Sequence, residues 1–149
     1  MAKVRAATAA DMPAMVSLGE IMHAEGRYRA VGFDRGKVAQ MLALAMQEGI
    51  VLVAESGGEL VGGVALLIVP YWFSATERMA SDLALFVAPG ARGGAAAVKL
   101  VSTATDAAIR AGAREVVFSS SVGIDPERFG QFMTHMGFVQ QGGVYSMEA

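Results

Sequence analysis

The sequence predicts the α/β (α+β) class: a mixed, mainly antiparallel twisted sheet of about six to seven strands with helices on both faces. Three observations carry this. Apolar runs of strand length alternate with segments whose apolar residues recur at helical spacing. Two of the runs are joined by Gly57-Gly58, a hairpin signal. Others are separated by helix-length segments, which crossover connections require. The full predicted order is β, α, α, β, β, β, α, β, α, β, β.

Each element has its own warrant. Lys3 to Ala7 reads as a first strand. Thr8 and Asp11, three residues apart, supply helix-start chemistry, and Pro13 is tolerated where early helical N–H groups have no partner. Met15, Leu18 and Met22 share one face of this helix, which Gly26 ends. Arg27 to Phe33 is a loop, and Asp34 caps a second helix. There Val38, Met41, Leu42, Ala45 and Met46 follow the amphipathic pattern up to Gly49. Ile50–Glu55, Leu60–Val69 and Ser81–Ala88 are strands, the last stopped by Pro89 and Gly90. A helix over about 93–111 ends at Gly112, and Glu115–Ser119 is a further strand. Asp125-Pro126 is an N-cap followed by an N1 proline, opening a helix to about Met136. Gly137 ends it, and two short strands are expected around Phe138 and over Val144–Met147.

Composition narrows the function classes. The 149 residues fit one domain, 1–149, with no repeat or linker. Hydrophobic residues make up 54% and charged residues 17%, with mean hydropathy +0.44. Much of the apolar fraction is Ala, and no run of about 18 apolar residues exists, so no membrane span is expected. The opening MAKVRAATAADMP has no apolar signal core, which fits a mature cytoplasmic chain. With no cysteine, disulfides, zinc–thiolate sites and thiol nucleophiles are excluded. A net charge of −2 gives no ground for phosphate-backbone binding to nucleic acid. His23-x-Glu25 lacks the P-C-x-x-C partner of a zinc deaminase, and Ser119 to Ser121 form no nucleophile elbow, so no metal site is expected.

The stretch that carries chemistry is Leu83 to Val101, LALFVAPGARGGAAAVKLV. A strand ends at a proline, Arg92-Gly93-Gly94 turn the chain, and a helix opens with three alanines. Unpartnered N–H groups and the helix dipole make such a start an anion site, small residues let a ligand approach, and Arg92 adds charge. The segment is not a P-loop, because no Lys-Ser or Lys-Thr follows at the required spacing. Nor is it a dinucleotide fingerprint, because Arg92 stands where the second glycine belongs.

Val87-Ala88-Pro89 followed by Arg92-Gly93-Gly94-Ala95-Ala96-Ala97 resembles the pyrophosphate loop of the GCN5-related N-acetyltransferase (GNAT) family, [QR]-x-x-G-x-[GA] after Val-x-Pro. Ala95 departs from the usual glycine. Phe132-Met133-Thr134-His135-Met136-Gly137-Phe138 resembles the family's F-Y-x-x-x-G-F block, with Met133 in the tyrosine position. The opening VRAATAADMPAM is similar to the family's first strand and helix. The order and spacing of these blocks cover nearly the whole chain. The Arg-Gly-Gly variant is similar to small phage-encoded members.

The resemblance implies acetyl-CoA as cosubstrate, held where two parallel strands, Ser81–Ala88 and Glu115–Ser119, splay apart. The pyrophosphate would lie on Arg92 and the amides of Gly93, Gly94, Ala95, Ala96 and Ala97. Pantetheine would pair with the backbone of Leu85, Phe86 and Val87, with Phe129 and Phe132 flanking it or packing in the core. An N–H near Val87 would polarise the thioester. An amine acceptor must lose a proton before direct attack in a ternary complex. Asp82 is the first candidate base and Glu25 the second. Met133 cannot donate a proton to the leaving thiolate. Tyr145, a water held by Ser119 to Ser121, or unassisted departure remain. Glu25, Tyr28 and Tyr71 are expected to line the acceptor site. Tyr71-Trp72-Phe73 is also suited to a homodimer interface. Two other functions stay open: an acyl-CoA-binding module with little turnover, on Met133 and Ala95, and an unrelated α+β assembly protein, on the apolar composition.

Overall fold

A computed structural model describes residues 2–120 and 122–149. In chain order the elements are β1 (Lys3–Ala6), α1 (Met12–Glu25), α2 (Arg35–Glu48), β2 (Gly49–Ser56), β3 (Glu59–Pro70), β4 (Arg78–Val87), α3 (Ala95–Arg110), β5 (Ala113–Val117) and α4 (Pro126–His135). Single 3-10 turns at Ala9–Asp11 and Pro89–Ala91 lead into α1 and α3. The sheet order is β1-β2-β3-β4-β5, antiparallel except for the parallel β4–β5 pair.

The sheet is covered on both faces, which is why its central strands are continuously apolar rather than alternating. Leu52, Ala54, Val64, Leu66 and Ala80 face α3, together with its Leu100, Ala104 and Ala108. Val51, Val53, Ala65 and Phe86 face the other way, onto Met15 and Val16 of α1 and Leu42 and Ala45 of α2. No helix among the described residues is long and apolar enough to cross a membrane.

The helix starts follow their local chemistry. Asp34 Oδ1 accepts from the Lys37 N–H (2.9 Å), and Asp125 Oδ1 accepts from the Arg128 N–H (3.2 Å). Asp11 does more than cap. Its Oδ2 accepts from the Thr8 N–H at 2.8 Å, while both carboxylate oxygens take the Arg5 guanidinium at 2.7 and 2.8 Å. The β2–β3 hairpin turns on Gly57 and Gly58, both with positive φ (59° and 82°), as a type I′ turn requires.

The sheet has five strands, not six to seven. Residues 137–149, where two closing strands are expected, form no strand. Phe138 is used instead in an edge-to-face contact with Phe118, ring centroids 5.6 Å apart. The remaining residues up to Ala149 are exposed.

Candidate active site

β4 and β5 pair only as far as Ser81 and Val117. Beyond that, β4 runs on to Val87 with one edge unpaired, and the chain after β5 leaves it. The Asp82 carboxylate sits at this fork, with Oδ2 accepting from the Ser119 N–H at 3.2 Å. Burial pushes its pKa up, partly opposed by that hydrogen bond.

Backbone direction along the free edge follows from two bonds. The Ala88 N–H donates to Val61 in β3, whereas Arg92 Nε donates to the Val87 carbonyl at 3.0 Å. In an extended strand the N–H and C=O of one residue point the same way. Val87 and, two residues earlier, Leu85 therefore present both backbone groups to the gap.

β4 also carries a bulge. Ala65 pairs with Ala84 while Leu66 pairs with Asp82, so Leu83 is an extra residue. The bulge lets the adjacent Leu83 and Ala84 both line one cavity on the α1/α2 side. Glycines on the neighbouring strand set the floor. A Cβ at Gly63 would stand 2.7 Å from the Phe86 ring, so a side chain there would force that ring to shift.

At the end of β4 the turn through Arg92-Gly93-Gly94 delivers the chain into α3. The helix starts at Ala95, its N-cap Gly94 offers no side-chain bond, and Gly93 is left-handed with φ 84°. The first amides of α3 thus have no side-chain cap. A depression of about 370 Å³ against this turn opens on the side of β1 to β3, lined by Ala2, Ser56, Val61, Gly90, Gly94 and Ala95 among others. The uncapped helix start itself, at the end of the free edge of β4, fits the pyrophosphate and pantetheine arm of a CoA ester.

The expected site residues divide into two groups. Leu85, Val87, Arg92, Gly93, Gly94, Ala95, Ala96 and Ala97 lie along the fork and the helix start, whereas Phe86 turns its backbone to β3 and its side chain into the core against α1 and α2, so it is not placed to pair with pantetheine. Arg92, however, holds the Glu25 carboxylate in a bidentate pair, 2.6 and 2.7 Å. That pair lowers the pKa of Glu25, which disfavours it as a base. Phe129 and Phe132 are half-buried on α4. Tyr28 lines the cavity beside β4, with the Arg27 guanidinium 4.2 Å above its ring.

Tyr71 is not brought to this place. It lies at the opposite end of the sheet, where Pro70 pairs with Arg78, and its hydroxyl donates to Glu115 at 2.6 Å. Tyr145 stands on no strand and is 96% exposed, because the strand expected to carry it does not form. Met133 is buried at 7% exposure. Ser121 lies outside the described residues.

Residues that sequence reasoning passes over also appear. Arg128, on the first turn of α4, reaches the loop: a Cβ on Gly93 would be 3.5 Å from its Nη2. His23 lines the cavity and packs on Phe33, ring centroids 5.2 Å apart. Lys37 lines it from α2. No motif marks Arg128 or Lys37, and His23 enters the sequence reading only through a dismissed zinc signature; the fold collects all three.

The family model of the Acetyltransferase (GNAT) family matches residues 19–138. The chain belongs to the GNAT acetyltransferase family. GNAT enzymes use acetyl-CoA, and membership assigns this chain to acetyl transfer to amines in general. No curated protein matches it in sequence. Solved structures share its fold. An acetyltransferase of Trypanosoma brucei superposes with TM-score 0.74 at 17% identity, covering 100% of both chains. Glucosamine-6-phosphate N-acetyltransferase of Arabidopsis thaliana gives 0.74 at 15%, covering 99% of this chain and 98% of that one. AAC(6')-Iy, in complex with the bisubstrate analogue CoA-S-monomethyl-acetylneamine, gives 0.77 at 13%, covering 100% and 98%.

Proposed function

We propose that this GNAT protein transfers the acetyl group of acetyl-CoA to a primary amine by direct attack at the fork between β4 and β5. The observation that carries the reading is the free edge of β4 running straight into the uncapped start of α3. The Val87 N–H, at the α3 end of the free edge, pairs with the pantetheine arm as a neighbouring strand would, while the Val87 carbonyl is held by Arg92. The amides opening α3, with Arg92 and Arg128 beside them, hold the pyrophosphate. Bound there, acetyl-CoA supplies an activated thioester.

The Leu85 N–H, nearer to Asp82 along the free edge, donates to the thioester carbonyl oxygen, stabilising the charge that develops on it. The acceptor nitrogen attacks the carbonyl carbon. The C–N bond forms, the C–S bond breaks, and the proton lost by the nitrogen goes to the Asp82 carboxylate, directly or through one water. Burial at the fork makes Asp82 a stronger base than an ordinary carboxylate. The thiolate departs without a side-chain acid and takes its proton from water, since Met133 is buried and Tyr145 is fully in solvent.

Release of free CoA thiol in the presence of an amine panel tests this directly. The rate should rise with pH through an apparent pKa above that of an ordinary carboxylate. Asp82→Asn should lose that limb and lower kcat/KM by about 100-fold or more. Burial of Met133 also favours a second reading, an acyl-CoA-binding module with little turnover. Saturable acetyl-CoA binding with no thiol release across the panel would select it.

A further inference from the structure

On the α1/α2 side of β4 lies a cavity of about 250 Å³. It is smaller than the range usual for drug-sized ligands. Its walls are apolar: Met15 and Met22 of α1, Phe33, Met41 of α2, and Leu83 and Phe86 of β4. Among the described residues the polar lining is His23, Tyr28 and Lys37. No carboxylate among the described residues lines it, and the nearby Glu25 is already held by both Nη atoms of Arg92.

Each of these facts restricts the occupant. Three methionine thioethers and two phenyl rings offer a polarisable surface that suits an aromatic or aliphatic body. Hydroxyl-rich sugars would leave most of their polar groups unpaired against it. A second ammonium would meet Lys37 with no anion to offset it. The extra residue in β4 turns Leu83 into this same space, so the cavity abuts the strand that carries the free edge.

We infer that the acceptor is a monoamine on a compact apolar body, arylalkyl or alkyl, seated in the cavity between α1, α2 and the bulge of β4. The inference rests on the acetyl-transfer reading above and names the substrate class of that site. It sets this protein apart from enzymes whose acceptors are polycationic or phosphorylated sugars.

Gly19 provides the decisive variant. It lines the cavity from within α1, and a Cβ there would meet only Phe33 Cζ, at 3.9 Å. Leucine is a better helix former than glycine, so Gly19→Leu should fold while filling the space. The protein saturated with CoA is titrated calorimetrically with 2-phenylethylamine, hexylamine, kanamycin, glucosamine 6-phosphate and a hexapeptide with a free N-terminus. Thiol release is measured with the same five.

The two apolar amines should bind, and should exceed the other three in kcat/KM by about tenfold or more, a difference of about 1.4 kcal/mol. Gly19→Leu should weaken their binding by at least about tenfold and keep the rise in thermal midpoint given by acetyl-CoA. Preference for kanamycin, the sugar phosphate or the peptide overturns the inference. So does absence of amine binding at millimolar concentration, or a Gly19→Leu protein that binds amines like the wild type. Failure of acetyl-CoA itself to bind the wild type would instead remove the underlying reading.

Discussion

Asp82 and Glu25 are both carboxylates near the fork, and their surroundings push them in opposite directions. Asp82 is half-buried, and that desolvation raises its pKa against the opposing Ser119 N–H. Glu25 has a guanidinium across both oxygens, which lowers it. Divergence of this kind separates a proton acceptor from a structural anion. Glu25 is then a positioning residue for Arg92, fixing its guanidinium while Nε holds Val87. The pair is about one-third exposed, so its own contribution to stability is small. Glu25→Gln should therefore fold normally, within about 1 kcal/mol of the wild type. It should raise the KM for acetyl-CoA by about three- to tenfold, because Arg92 must then be ordered during binding. Steady-state kinetics at saturating amine checks this, and an unchanged KM would detach Glu25 from the cofactor site. The sequence makes both residues visible but gives them separate ligands. That they bind each other is a tertiary fact with no local signature.

At the scale of elements, the segments with strong local chemistry are readable and those needing a partner are not. Asp34, Asp125-Pro126 and Gly57-Gly58 each determine a cap or turn through bonds made within a few residues. The long apolar strands are likewise legible, because burial on both faces demands them. The two closing strands expected around Phe138 and over Val144–Met147 do not form, because a strand exists only if a neighbour accepts its ladder. The bulge at Leu83 is invisible for the same reason, and with it the cavity. Met15 and Met22, which share one apolar face by periodicity, pack in the core and also wall this space.

The entry to α1 illustrates an element fixed by one buried group. Asp11 is 6% exposed and holds Arg5 of β1 and the Thr8 N–H together. Its folded pKa lies well below the unfolded value of about 3.9, so it stabilises the fold above that pH. The contribution is lost as pH falls through and below about 4. Asp11→Ala should cost about 2 kcal/mol at pH 7, and the deficit relative to wild type should shrink toward pH 2. Urea unfolding at several pH values reads this; a deficit independent of pH would contradict the ion-pair account.

For the molecule as a whole, the central claim is that the fork of the sheet and the start of α3 form one acetyl-CoA site. The most direct test is the thermal unfolding midpoint with and without saturating acetyl-CoA. A ligand at about 100 times its Kd adds about 2.7 kcal/mol, which for a chain of this size raises the midpoint by about 5 °C or more. Arg92→Glu places a negative charge where the phosphates would lie, and should abolish the rise. A clear rise in the wild type, lost in Arg92→Glu, is the predicted result; an unchanged midpoint at millimolar acetyl-CoA would contradict it.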